Sequence, residues 1–471
     1  MLRGAMRTAP ARAAAAILLL ATACSHPPPL TARPAGASRS VVVRNARVFD
    51  APHAALPSAL SDVLVRDGRI AAIAPPGLAA PAVAEVDARG GTLLPGLVDV
   101  HTHTGSTPRP PWQVGSLPDV NANLAAFLYA GVTSVLDLGS LTPAVFRTRA
   151  EIASGATLGP RLWAAGPVFT APGGHPAEML RAYLPWYLRW YVVSRATREV
   201  ATPEDGRRAV AALLPEHPDI LKLAVDGGAQ GDVPRLPAET IASITAAGHA
   251  AGVRSIAHIG DSAEAIAVVR GGVDALAHSP WREDLSDEAV RVIAAAHVPV
   301  VVTLAIWDVA GMPRTRASEF LPIEREVAEP DVMAGLLAPP PTPDPATAAF
   351  LRAAAAGHEA RRRNVARLRA AGVTVLAGSD GCNAGQFPGA GLHLEVAKLV
   401  DAGLAPAEAL RAATWENARF LAGDGADFGE IAVGKRADLV VVAGDPTSRI
   451  EDLGRITHVI LDGAVLERRG R

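Results

Sequence analysis

Eight short apolar runs recur along the middle of this chain, each following a glycine or a turn. They read GLVDVHTH (96–103), GVTSVLDLG (131–139), RLWAAGPVFT (161–170), ILKLAVDGG (220–228), GVRSIAHIG (252–260), GVDALAHS (272–279), HVPVVVTL (297–304) and GVTVLAGSD (372–380). Nearly continuous apolar, β-branched runs are the mark of strands buried on both faces. The Ala/Leu/Arg-rich stretches between them predict helices. Asp261 with Glu264 makes a capping box at the start of one. Pro237 opens another that runs to Gly248 or Gly252. Eight strands alternating with helices predict an α/β fold of the (β/α)8, TIM-like barrel type.

Two flanking stretches break the pattern. Residues 41–94 carry VVVRNARVFD and DVLVRDGRIAAIAP, and residues 428–469 carry GEIAVGKRADLVVVAG and ITHVILDGAVLER. Both are strand-like with polar turns, and each is too short to stand alone as a sheet domain. Together they predict a small β-sandwich from 41–94 and 425–471, flanking a barrel over 95–424. A chain of 471 residues suits one large and one smaller domain.

The N-terminus is of another kind. Arg3, Arg7 and Arg12 precede an apolar run from Ala13 to Leu20, then Ala21-Thr22-Ala23-Cys24. That layout predicts a secretory signal over 1–24; the cysteine after the small residues resembles a bacterial lipoprotein cleavage box, with Cys24 as the lipidated residue, and an ordinary signal peptide or an uncleaved membrane anchor is the alternative. The run is short for a membrane-spanning helix. Residues 25–40, rich in Pro, Ser and Ala, read as a flexible linker. The expected location is the cell envelope, with membrane contact only through the lipid on Cys24. The remaining cysteine is Cys382, so lipidation of Cys24 leaves no internal disulfide. Apolar residues make up 49% and charged residues 20%, as in a globular chain, and a net charge of −2 gives no reason to expect nucleic acid.

In a barrel of this type functional groups sit at the C-terminal strand ends, facing one mouth. The first strand ends in His101-Thr102-His103, the fourth carries Lys222, the fifth ends near His258, the sixth near His278 and the eighth at Asp380. Strand residues two apart point the same way, so His101 and His103 can hold one ion. His258 and His278 add two nitrogens, and Asp380 an oxygen that can touch both a metal and its water. Imidazole and carboxylate suit zinc. A metal makes hydroxide available near neutral pH to attack a carbonyl or phosphoryl centre. A single histidine is most often structural; polar groups on five correct strand ends are hard to ascribe to accident.

Leu94-Pro95-Gly96-Leu97-Val98-Asp99-Val100-His101-Thr102-His103 resembles the opening signature of the amidohydrolase superfamily. Thr414-Trp415-Glu416-Asn417-Ala418 and the stretch from Gly429-Glu430-Ile431 through Gly434-Lys435-Arg436-Ala437-Asp438-Leu439-Val440-Val441 resemble its C-terminal motifs. The resemblance spans about residues 41–469 and is nearest to the imidazolonepropionase-like and bacterial prolidase-like subgroup. It implies two divalent metals, zinc by preference. His101, His103 and Asp380 would hold the more buried ion and His258 and His278 the other, with N6-carboxylated Lys222 as the bridge. Asp380 would act as general base and then acid. His175, in Gly173-Gly174-His175, resembles a turn that faces substrate.

Trp281 and Trp307 follow the sixth and seventh strands and are candidate pocket walls. The aromatic stretch Tyr183 to Tyr191 reads equally well as a packed outer helix. Cys382 reads as a small wall residue rather than a nucleophile. The segment 308–350 reads as a lid or a surface excursion. The leading function is hydrolysis of an amide-type C–N bond in a small molecule, either a dipeptide or an N-acyl amino acid. Alternatives are a cyclic amide, a lactone or a phosphoester, and, from another class, an inactive metal- or ligand-binding surface lipoprotein. A homo-oligomer is compatible with the sequence.

Overall fold

Each of the eight runs contains a parallel strand. The computed structural model describes residues 29–470 except 82 and 116. The leader 1–24, with Cys24, lies outside the described residues. The strands are Leu97–Thr102, Val132–Asp137, a third in two pieces (Arg161–Ala164 and Val168–Thr170), Ile220–Ala224, Arg254–His258, Ala275–Ala277, Val300–Val301 and Val375–Leu376. Neighbours pair in chain order. The first piece of the third strand lies beside the second strand, and its second piece beside the fourth. The fourth to eighth strands follow in sequence.

The ring closes between the eighth and first strands. Thr102 bridges Gly381 in parallel. The backbone N–H of Asp380 donates to His101 O (2.8 Å), and that of His103 to Gly381 O (3.0 Å). Asn417, from the Thr-Trp-Glu-Asn-Ala motif, is fully buried across this seam. Its amide donates to Val98 O and Ala377 O, each at 2.6 Å, and its carbonyl accepts from Ala377 N (3.3 Å). Asp261 and Glu264 form the expected capping box on helix Ser262–Arg270, and Pro237 caps helix Ala238–Ala250.

Both chain ends meet in one mixed sheet of eight strands. Thr92–Pro95 lies between Val41–Val48, parallel to it, and Leu439–Val442, antiparallel to it. Alternation decides the faces. Leu93, Leu439 and Val441 join the sheet's own core, whereas Leu94, Val440 and Val442 pack into the barrel's core with Leu97 and Val132.

One expectation needs correction, and one is refined. The stretch 25–40 is not a free tether throughout. Thr31–Ala32 pairs with Glu467–Arg468, and Leu30, 3% exposed, packs beside Ala125 and Tyr129. A single leucine among prolines is enough to dock where a complementary apolar notch exists. The segment 308–350 is largely helical, with Pro322–Val327, Pro330–Leu337 and the start of Pro345–Ala356. Each of these helices has proline in its first turn, where the missing N–H costs nothing. Phe320, Ile323, Val327 and Val332 are buried there against Phe387.

Asn417→Ala strands two buried carbonyls at the seam. It should lower unfolding stability by about 1–3 kcal/mol, read by denaturant titration; an unchanged midpoint would remove Asn417 from the closure.

Candidate metal centre

Backbone strain marks the strand ends that carry the site. His278 (φ 73°), Thr303 (φ 47°) and Asp380 (φ 55°) hold left-handed conformations just past the sixth, seventh and eighth strands. Such non-glycine residues cost about 1–3 kcal/mol each and gather at functional sites.

The side chains converge there. His103 Nε2 lies 3.0 Å and His101 Nε2 3.6 Å from Asp380 Oδ1. Their ligand atoms all fall within 4.8 Å of one another. Lys222 Nζ is 3.4 Å from His101 Nε2. The His101 ring is 4.8 Å from that of His278, which is 4.3 Å from that of His258. All six residues proposed as ligands from the sequence therefore meet in one cluster at one end of the barrel.

Their hydrogen bonds point the lone pairs inward. His103 Nδ1–H donates to Gly139 O (2.9 Å), so Nε2 faces Asp380 with a lone pair when the ring is neutral. Thr303 donates its hydroxyl to Val302 O and so accepts from His278 Nδ1–H at 2.5 Å. His258 Nε2–H donates to Asp226 Oδ2 (3.2 Å). His278 Nε2 and His258 Nδ1 are thereby left facing each other at 2.9 Å. Two acceptors at that distance repel unless a cation lies against both. The donor set therefore fits divalent metal, in the order first set His101, His103 and Asp380, second set His258 and His278. The second set has only two protein ligands, and an oxygen on Lys222 would supply a third.

Charge states agree at three of the four rings. Burial holds His101 and His278 well below the ordinary histidine range and His258 down to about 4, so these rings are neutral and ready to ligate. Burial opposes a proton on His103 too, but the Asp380 carboxylate outweighs it and raises that pKa. Burial would likewise raise Asp380, yet His101 and His103 keep it well below the usual carboxylate range. Burial brings the Lys222 amine down to about 7.

The other sequence candidates divide. The His175 ring lies 4.6 Å from that of His258, and its Nδ1 is held by Glu178 (3.1 Å). The Trp307 ring stands edge-on to His278 at 5.2 Å, with a buried indole N–H that has no partner among the described residues. Trp281 does not form a pocket wall. It is 0% exposed, stacks behind Trp307 at 4.5 Å and donates its N–H to Asp226 Oδ2 (2.8 Å). Cys382 is also 0% exposed, and burial pushes its thiol well above the normal range, so it is neither wall nor nucleophile.

Asp226 went unrecognised in the sequence. It takes the His258 proton on one oxygen and Arg282 on the other (2.8 Å), and Arg282 reaches on to Asp261 and Glu264. Burial would raise its pKa, but His258 and Arg282 hold it far below the usual range. Its spacing was the available signal: Asp226 is four residues past Lys222, on the same side of an extended chain. Asn383, whose amide donates to Asp380 Oδ1 (2.7 Å), had no such signal. Asp226→Asn should weaken metal at the second set by about 10–100-fold and leave the first set loaded. Chelator competition with metal analysis reads this, and equal affinity at both sets would contradict it.

Comparison with known proteins accords with this geometry. The model of the Amidohydrolase family matches residues 92–466. A dihydroorotase of Mycobacterium tuberculosis is 42% identical over 83 residues, which span 17% of this chain and only 18% of that enzyme. The crystal structure of an amidohydrolase superposes with a TM-score of 0.71 at 26% identity, covering 90% of this chain and 98% of the other. A prolidase complexed with N-methylphosphonate-L-proline superposes at 0.73 with 23% identity, over 91% of this chain and 100% of the other, a likeness of fold alone. The match to the family model covers most of the chain, and the protein belongs to the amidohydrolase family.

Proposed function

We propose that this amidohydrolase hydrolyses an amide-type C–N bond of a dipeptide or N-acyl amino acid, using two divalent ions, zinc by preference, and carboxylated Lys222. The observation that carries this reading is the convergence of four imidazoles and Asp380 on one cluster, with hydrogen bonds that aim nitrogens of His103, His258 and His278 inward. Divalent metal held there would lower the pKa of a water and polarise the carbonyl under attack.

The chain's own residues supply the proton steps. Asp380, ionised and 3.0 Å from His103, is placed to take a proton from the attacking water. The water oxygen bonds to the carbonyl carbon. The C–N bond then breaks as Asp380 returns the proton to the amine, giving a carboxylic acid and a free amine. Trp307, with its unpartnered N–H beside His278, is placed to hold a polar group of the substrate. Lys222 Nζ lies 3.4 Å from His101 Nε2, and its amine, at about 7, is partly neutral at neutral pH. A neutral amine adds to CO2, forming an N–C bond and releasing one proton, which turns a neutral nitrogen into an anionic oxygen ligand. The leader with Cys24 supports a place in the cell envelope.

Zinc-loaded protein screened against dipeptides, N-acyl amino acids, lactones and phosphotriesters should prefer an amide. Asp380→Asn should lower kcat by about 10²–10⁴-fold. A preference for phosphotriester or lactone, or no turnover by fully loaded protein, would overturn the reading. Lys222→Ala should reduce the metal content from two ions per chain to one; one ion in the unaltered protein, with Lys222→Ala fully active, would overturn the two-metal form.

A further inference from the structure

Exposed apolar side chains are not spread evenly over this molecule. Among the described residues, nine of the twelve large apolar side chains that are exposed lie on segments following the first, third and seventh strands, around the mouth that holds the histidines. They include three of the chain's four tyrosines and three of its seven tryptophans. Patches of this kind mark an interaction surface.

Helix Trp186–Ala196, after the third strand, is the centre of it. Trp186 is 81% and Trp190 77% exposed, one turn apart, with Tyr187 and Tyr191 beside them. The helix is not loose. Tyr187 donates to Gly115 O (3.1 Å), and Tyr183 just before it bonds the Thr347 hydroxyl (3.0 Å), so it is fastened across the mouth. It carries Arg189 and Arg195 and no acidic residue. Among the described residues neither these two nor Arg198 pairs with a carboxylate; they bond backbone carbonyls, and Arg195 also lies over the Tyr191 ring. Beside the helix a cleft of about 840 Å³ is lined by Arg181, Arg189, Arg198 and Arg208, with only Glu199 and Asp205 to offset them.

We infer that helix Trp186–Ala196 and its arginine-lined cleft dock on an anionic lipid surface, turning the mouth of the barrel toward the bilayer. Trp and Tyr with arginine is the composition that settles at headgroup level, apolar ring inward and cation to phosphate. A second copy of this chain fits less well. A two-fold contact sets a patch against itself, which here brings unpaired arginines onto arginines with no acid on the helix to meet them. Among the described residues no helix is long and apolar enough to cross a membrane. The sequence placed membrane contact at Cys24 alone; this face is a second and independent one.

Tryptophan quenching by lipid tests it, because residues 1–28 contain no tryptophan and anchoring by the leader alone cannot quench. The full chain carrying Cys24→Ser is mixed with vesicles of dibrominated phosphatidylcholine, with or without an equal part of phosphatidylglycerol. The anionic vesicles should quench roughly the share of two tryptophans in seven, an effect lost in W186F/W190F and weakened by high salt. Absence of quenching overturns the inference, as does equal quenching by neutral vesicles or quenching that survives W186F/W190F. A dimer in sedimentation that W186S/W190S splits, without quenching, assigns the face to a second copy and overturns it as well.

Discussion

The seam between the eighth and first strands is the contact on which the rest depends, because the residues that close the barrel are the residues that gather the candidate metal ligands. Asp380 gives its backbone N–H to the carbonyl of His101, and His103 gives its own to Gly381. The buried Asp99 carboxylate spans the same gap, accepting from Ser379 N (3.0 Å), Ser379 Oγ (2.5 Å) and His101 N (3.2 Å). Burial raises its pKa to about 7 against those bonds. A slip in this seam would part Asp380 from the two histidines and open the ring at once. Closure and ligation are one constraint here, which places His101 and Asp380 side by side although they belong to the first and last strands.

The opposite half of the site is fixed by charge. Arg282 ties Asp226, Asp261 and Glu264, and Glu264 also accepts from the backbone of Gly227 and Gly260 and from Arg235. These bonds join the loops after the fourth, fifth and sixth strands, which carry Lys222, His258 and His278. Breaking a buried pair of this kind leaves an unpaired charge, costing about 3–5 kcal/mol. The network therefore stiffens the strand ends and sets the His258 tautomer together, and it leaves the reacting groups no need to pay for their own order.

What could be read from the sequence followed from burial and period. The eight runs were legible because strands covered on both faces leave no polar alternation, and His101 and His103 because residues two apart share a face. Lys222, His258, His278 and Asp380 were legible by their place at strand ends. Trp281 was misplaced because position after a strand does not say which way a side chain turns; its N–H found Asp226 instead. The helices within 308–350 were hidden by their shortness and by the prolines that in fact begin them. Leu30 and Thr31 dock only because Tyr129 and Arg468, distant in sequence, form the receiving surface.

The central claim is that the two histidine sets are two metal sites joined across the mouth of one barrel. Anomalous X-ray scattering at the zinc edge, from crystals of zinc-loaded protein, measures it most directly. The account predicts two peaks about 3.5–4 Å apart, one against His101, His103 and Asp380 and the other against His258 and His278, with density extending from Lys222 Nζ to both. A single peak, or peaks away from these side chains, would contradict it.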